Sequence, residues 1–210
     1  ILKTNINILN MEQTVSYLEE HLEELRGEYI CVSNVHTTVM AYRDPEYRKV
    51  QNGSAMNLPD GKPLSITQRR YGYSNAGRVP GPDLMLRIFR ISEKYGYRHF
   101  FYGSTPETLK KLINNLKEKF PELQIAGSIS PPFHPMTEEE DRLDIKEIND
   151  SKPDFIWVGL GAPKQEKWMA AHKGKVTGIM LGVGAGFDFH AGTVKRAPKW
   201  MQELCIEWLW

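Results

Sequence analysis

Cysteine is scarce: Cys31 and Cys205 are the only two in 210 residues, far apart and without metal-ligand spacing. That excludes a disulfide framework and suits a reduced, cytoplasmic protein. Net charge is also lacking, since 27 Lys and Arg face 26 Asp and Glu for a formal +1. No global field recruits nucleic acid, and any anion site must be local. Long apolar runs are missing too. The longest, residues 178–187, is about ten residues and Gly-rich, well below the roughly twenty needed to cross a bilayer. No secretory signal, internal repeat or low-complexity tract is visible.

The six histidines, His21, His36, His99, His134, His172 and His190, include no His-x-x-x-His pair, and there is no Asp-x-Asp. The run Glu138-Glu139-Glu140-Asp141 reads as a capped, solvated helix start rather than a cation site. Metal-dependent catalysis is therefore disfavoured, and no metal or other cofactor is expected. A Gly-x-Ser-x-Gly elbow is absent as well, so hydrolase chemistry of that kind lacks its nucleophile.

What is present, 40% hydrophobic and 25% charged composition, fits one soluble domain with a substantial core. Residues 2–9 alternate as a half-buried strand, and Asn10 with Gln13 resembles a capping box opening a helix. Compact apolar strands follow at 29–33, 56–58, 97–102, 123–126, 155–160 and 176–183, separated by helical patterns. A polar stretch, residues 65–80, reads as a mobile loop, and Thr137 with Glu140 caps a later helix. Strands alternating with helices predict an α/β, Rossmann-like fold: a mostly parallel sheet covered by helices on both faces. Ligands bind such sheets beyond the carboxyl ends of the strands.

The candidate polar groups all follow strands. In Asn57-Leu58-Pro59-Asp60-Gly61, Pro fixes φ before the carboxylate and Gly frees it after, which makes Asp60 the leading catalytic candidate. The alternative is an ordinary Pro-Asp-Gly turn. Asn34 and Thr37 cluster after the 29–33 strand. Gly103-Ser104-Thr105-Pro106-Glu107 offers free N–H groups and a hydroxyl at a helix N-terminus, either an anion site for a diphosphate or simple capping by Ser104 or Thr105. Arg78 could reach a phosphate from the 65–80 segment. In Gly159-Leu160-Gly161-Ala162-Pro163-Lys164-Gln165-Glu166, Pro163 stands at a helix start, the Gln165 amide suits sugar hydroxyls or an N-acetyl group, and Glu166 reads equally as helix-dipole decoration. Residues 182–186 match a dinucleotide fingerprint only loosely.

Together, Asn34-Val35-His36-Thr37, Asn57-Leu58-Pro59-Asp60-Gly61, Arg78-Val79-Pro80-Gly81-Pro82-Asp83, Gly159 to Glu166 and Phe187-Asp188-Phe189-His190-Ala191-Gly192 resemble the WecG/TagA/CpsF glycosyltransferases, also called glycosyltransferase family 26. The likeness covers nearly the whole chain in order. It implies inverting, metal-independent transfer of N-acetylmannosamine or its uronic acid from a UDP-sugar to undecaprenyl-diphosphate-linked N-acetylglucosamine, for cell-wall teichoic acid or surface polysaccharide. On that resemblance Asp60 is the general base, with Asn34 and Thr37 orienting it or the acceptor. Arg78, Ser104, Gln165, Asp188 and Phe133, the last in the Pro131-Pro132-Phe133-His134 loop, bind substrate.

The pattern departs from some family members at Val32, where they carry Thr. Members also continue past Glu207-Trp208-Leu209-Trp210 with a basic appendage. The resemblance thus implies a catalytic domain over 1–194 and the start of a membrane-associating appendage over 195–210. Trp200, Met201, Leu204, Trp208, Leu209 and Trp210, with Lys195, Arg196 and Lys199, then read as an interfacial helix, or as one packed on the core or on another subunit of a homo-oligomer. The implied location is peripheral, on the inner face of a bacterial membrane. Rival readings are another UDP-hexose donor, a nicotinamide-dependent oxidoreductase, or a non-catalytic nucleotide-sugar binding protein.

Overall fold

The computed structural model describes residues 1–204. Six strands, β1 (Tyr29–Ser33), β2 (Met56–Pro59), β3 (Arg98–Gly103), β4 (Gln124–Ile129), β5 (Phe155–Gly159) and β6 (Ile179–Gly182), lie in the order β2-β1-β6-β5-β3-β4. Every pairing is parallel. The helices between them are α1 (Met11–Glu20), α2 (Val35–Arg43), α3 (Pro45–Asn52), α4 (Lys62–Arg70), α5 (Gly81–Tyr95), α6 (Pro106–Lys119), α7 (Glu138–Asp150), α8 (Lys164–His172), α9 (Gly186–Ala191) and α10 (Lys199–Glu203).

Near-continuous apolar strands are what a sheet buried on both faces requires. Successive side chains point to opposite faces. Phe155 and Trp157 of β5 accordingly join one core with α1, α5, α6 and α9, while Ile156 and Val158 join a second with α7 and α8. The expected α/β architecture with helices on both faces is what forms. Both capping boxes form too, Asn10 with Gln13 and Thr137 with Glu140.

Two local expectations fail. Residues 2–9 do not form a strand; Leu2 and Lys3 take positive φ (49° and 67°). The segment meets the sheet at Asn7, whose backbone N–H donates to the Asn57 carbonyl (2.9 Å) while its side-chain oxygen accepts from the Asn57 N–H (2.7 Å). A side chain thus takes the place of the next ladder partner. The 65–80 stretch is not a free loop either. Helix α4 runs to Arg70, and Ala76 and Val79 are fully buried. Val79 N–H donates to the Pro59 carbonyl (2.7 Å), and Gln68 Nε2 to the Asn7 carbonyl (2.9 Å). Polar composition concealed a segment whose amides and side chains are tied into the fold.

His99 sits at zero exposure among Phe89, Phe155 and Trp157, and its Nδ1 accepts from the Trp157 indole N–H (3.0 Å). Burial lowers its pKa from 6.5 to about 3. The folded ring stays neutral where the unfolded chain's imidazole takes a proton, so the unfolded state binds more protons between those values. Stability therefore falls as pH drops from about 6.5 toward about 3, by up to about 1.4 kcal/mol per pH unit from this residue. Denaturant titrations across pH 4–7 are expected to show that slope, and His99→Gln to flatten it.

Candidate active site

β1 sends its chain outward to edge strand β2, whereas β3 sends its chain to the opposite edge strand β4. Connections that diverge in this way leave a crevice beyond the carboxyl ends of the strands. The turns ending β1, β2 and β3 carry Asn34, Asp60 and Ser104, and the first turns of the helices after β5 and β6, α8 and α9, carry Gln165 and Asp188.

Asp60 is fixed from two sides. Its N–H donates to the Ser33 carbonyl (2.8 Å), continuing the β1–β2 ladder by one step. Arg78 donates through Nε to the Asp60 carbonyl and through Nη2 to its carboxylate (3.4 Å). Both side chains are about one-quarter exposed or less and line a cavity of about 590 Å³ with Pro80, Pro82, Phe189 and residues 194–197. Below the turn a buried chain of hydrogen bonds stiffens β1 and β2. Ser33 Oγ and Asn57 Nδ2 both donate to Gln51 Oε1 (2.7 and 2.8 Å), and Gln51 Nε2 donates to the Tyr47 hydroxyl (2.8 Å). Each such bond contributes about 1 kcal/mol net, and together they hold one orientation of the carboxylate's backbone.

Asn34 and Thr37 are committed to capping α2: the Asn34 side chain accepts from Thr37 N–H (3.1 Å), and Thr37 Oγ1 accepts from Asn34 N–H (3.0 Å). They stand beside Asp60 through the backbone, because a Cβ on Gly61 would come within 3.5 Å of the Asn34 Cα.

Ser104 belongs to a second cavity, of about 450 Å³, lined also by Phe133, Lys164, Gly159 and Trp168. The α6 cap is Thr105, which accepts from Thr108 N–H (3.2 Å). Ser104 itself adopts φ +59° and donates its N–H to the Gly159 carbonyl (3.1 Å). Phe133 is 89% exposed at the rim. Inside, Trp168 stacks between Tyr102 and His172 with centroids 4.2 Å away on each side.

Gln165 lies buried behind the strand ends. Its Oε1 accepts from the Gly184 N–H (3.0 Å), and its Nε2 donates to Glu166 Oε1 (2.9 Å). Glu166 is not surface decoration of a helix dipole. It has zero exposure, burial raises its pKa, and its Oε2 makes no hydrogen bond among the described residues. Pro163 precedes the helix rather than occupying its first position, and the Ala162–Pro163 peptide is cis. Asp188 accepts from the Thr193 hydroxyl (3.2 Å), fastening the turn after α9. The structure thus joins Asp60 to Arg78 and Ser104 to Phe133 in two cavities at the carboxyl ends of the strands. Gln165 bonds Gly184 and Glu166, and Asp188 bonds Thr193.

The model of the WecG/TagA/CpsF glycosyl transferase family matches residues 1–210. The chain belongs to this family. It is similar to the N-acetylglucosaminyldiphosphoundecaprenol N-acetyl-beta-D-mannosaminyltransferase of Bacillus subtilis (strain 168), 29% identical over 203 residues, covering 96% of this chain and 77% of that one. The protein of the same name from Staphylococcus aureus (strain NCTC 8325 / PS 47) is 30% identical over 183 residues, 87% of this chain and 70% of that one.

In this glycosyltransferase three further groups stand at the cavities without having been singled out as site residues. Lys164 lines the Ser104 cavity, and Lys195 and Arg196 line that of Asp60. Arg196 is not part of a C-terminal interfacial helix: it precedes α10 and forks onto the Asp83 carboxylate (2.5 and 3.1 Å). Its distance in sequence from Asp83 left no local signal, and the Asp83 carboxylate at the start of α5 reads on its own as dipole compensation. Of the proposed C-terminal helix, Trp200 and Leu204 are exposed and Met201 is buried, while Trp208, Leu209 and Trp210 lie outside the described residues. Among the described residues no helix is long and apolar enough to cross a membrane, and no three His, Cys, Asp or Glu side chains gather as metal ligands.

Proposed function

We propose that the protein transfers N-acetylmannosamine or its uronic acid from a UDP-sugar to undecaprenyl-diphosphate-linked N-acetylglucosamine, with inversion and without a metal ion. The observation that carries this reading is the carboxylate of Asp60, held on a rigid strand-end turn by Arg78 and opening into a cavity, in a chain whose relatives are named as N-acetylglucosaminyldiphosphoundecaprenol N-acetyl-beta-D-mannosaminyltransferases. A partly exposed carboxylate beside an open cavity suits a general base. The acceptor hydroxyl oxygen attacks the anomeric carbon and passes its proton to Asp60. The bond from that carbon to the diphosphate oxygen breaks, and UDP departs with the electron pair.

The Ser104 cavity suits the UDP group. It combines the Ser104 hydroxyl, the Lys164 ammonium and the exposed Phe133 ring for a base. Base–aromatic stacking is worth about 1–3 kcal/mol. Phe133→Ala is accordingly expected to raise the donor KM by roughly five- to a hundredfold with little change in the acceptor KM, measured by varying each substrate in turn.

The polymer served is cell-wall teichoic acid or a surface polysaccharide. The protein works in the cytoplasm at the inner face of the membrane, with residues 1–194 as the catalytic unit and 195–210 opening a membrane-associating appendage. The deciding experiment incubates the whole protein with several UDP-sugars and a lipid-diphosphate N-acetylglucosamine analogue in chelator. Transfer of N-acetylmannosamine or its uronic acid with inverted configuration supports the reading. No product, or product only after metal is restored, overturns it in whole or in part.

A further inference from the structure

The molecule's formal charge is +1, yet one groove collects six cations against two carboxylates. This groove, of about 620 Å³, runs between α4 and α5, with the start of α1 at its edge and α10 beside it. Helix spacing explains its lining. Lys62, Ile66 and Arg69 stand at i, i+4 and i+7 on one face of α4, and Leu86 and Arg90 at i and i+4 on one face of α5. The α4 wall therefore presents an apolar side chain between cations, the α5 wall one beside Arg87 and Arg90, and Met11 adds a third apolar group.

Both acids of the groove are already matched. Arg87 pairs with Glu12 (3.1 Å) and Arg196 with Asp83 (2.5 Å). Arg69 and Arg90 pair with no carboxylate among the described residues, so the excess of positive charge is real at the groove surface. Ile66, 38% exposed, lines the groove with them. Arg78 and Pro80 line this groove and the Asp60 cavity alike, which makes the two spaces neighbours across a single arginine.

Cations alone fit any phosphate, and an apolar cleft alone fits any hydrophobe. Interleaved as they are here, they fit an anionic head joined to a hydrocarbon chain. We propose that the α4–α5 groove binds the acceptor's polyprenyl diphosphate, with the diphosphate at the Arg78 end and the first isoprene units along Ile66 and Leu86. The identity of the lipid rests on the glycosyl-transfer reading above; the amphiphile specificity rests on the groove.

The test uses the whole protein and farnesyl diphosphate, a short polyprenyl diphosphate, with binding measured by calorimetry. Farnesyl diphosphate is expected to bind at least about ten times tighter than inorganic diphosphate or farnesol. Losing one charge-assisted contact or the apolar wall should cost about tenfold or more. Ile66→Asp and Arg90→Glu, both surface changes, should therefore each weaken binding by that factor, while Phe133→Ala and added UDP leave it unchanged.

Equal binding by wild type and both variants overturns the proposal, as does displacement by UDP or no binding at all. Loss of sedimentation with phosphatidylglycerol vesicles in the variants, with farnesyl diphosphate binding intact, also overturns it and makes the groove a membrane-facing surface. The two readings separate cleanly. Groove binding without sugar transfer by the wild type removes the reaction and keeps the groove; normal transfer with unaltered variants does the reverse.

Discussion

Asp60→Asn is expected to lower turnover at least about a hundredfold, since a positioned general base contributes roughly 10² to 10⁴ in rate. The substitution preserves shape. The main-chain anchors of residue 60, its N–H on the Ser33 carbonyl and its own carbonyl on Arg78, do not involve the carboxylate. The amide oxygen can still accept from Arg78 Nη2 where the carboxylate oxygen did. Melting temperature and donor affinity should thus remain near those of the wild type. Steady-state rates with saturating donor and acceptor decide the matter. A variant within threefold of wild type makes Asp60 a turn residue and returns the search for the base to other groups of the cavity.

Gly103→Ala should be the most damaging small change to the fold. Gly103 ends β3 at φ +126°, a region that L side chains rarely enter, and an added Cβ would stand 2.5 Å from the Gly159 carbonyl oxygen at the end of β5. Backbone strain of this kind costs about 1–3 kcal/mol, and forcing an extra methyl into packed surroundings costs about as much again. A total near 3 kcal/mol or more corresponds to a fall in Tm of roughly 6–12 °C for a chain of this size. Differential scanning calorimetry reads it directly. Because Ser104 follows immediately and hangs on the same Gly159 carbonyl, donor affinity should suffer as well, even below the transition. A variant that melts with the wild type would refute the steric argument.

Much of this architecture was readable beforehand because its determinants are local. Short apolar strands such as Phe155-Ile156-Trp157-Val158, bounded by Gly and Pro, have few alternatives to a buried parallel sheet, and capping pairs three residues apart announce helix starts. Asp60 was visible for the same reason: Pro59 and Gly61 mark its turn. The failures are long-range. The 2–9 alternation is sound as a pattern, but its pairing depends on Asn7 meeting Asn57, fifty residues away. The 65–80 stretch is polar, and its order comes from bonds to residues 7 and 59 that composition does not record. Glu166 was misjudged because a carboxylate in a first helical turn is ordinarily solvated. Here the Gln165 amide and α3 cover it, and only the tertiary fold says so.

The wall of the Asp60 cavity is drawn from two remote parts of the chain, residues 78–82 and 189–197. The second part starts in α9, which is packed in the apolar core, but beyond it residues 194–197 are fastened by the turn at Asp188 and Thr193 and by the Arg196–Asp83 pair, whose side chains are 25% and 43% exposed. Exposed ion pairs hold about 0–1 kcal/mol, whereas the sheet beneath is secured by two apolar cores. Cooperative units of such unequal stability open separately. In dilute denaturant the catalytic pocket should come apart while the sheet is still whole, so enzymatic inactivation precedes global unfolding and is reversed on dilution without the chain having to refold.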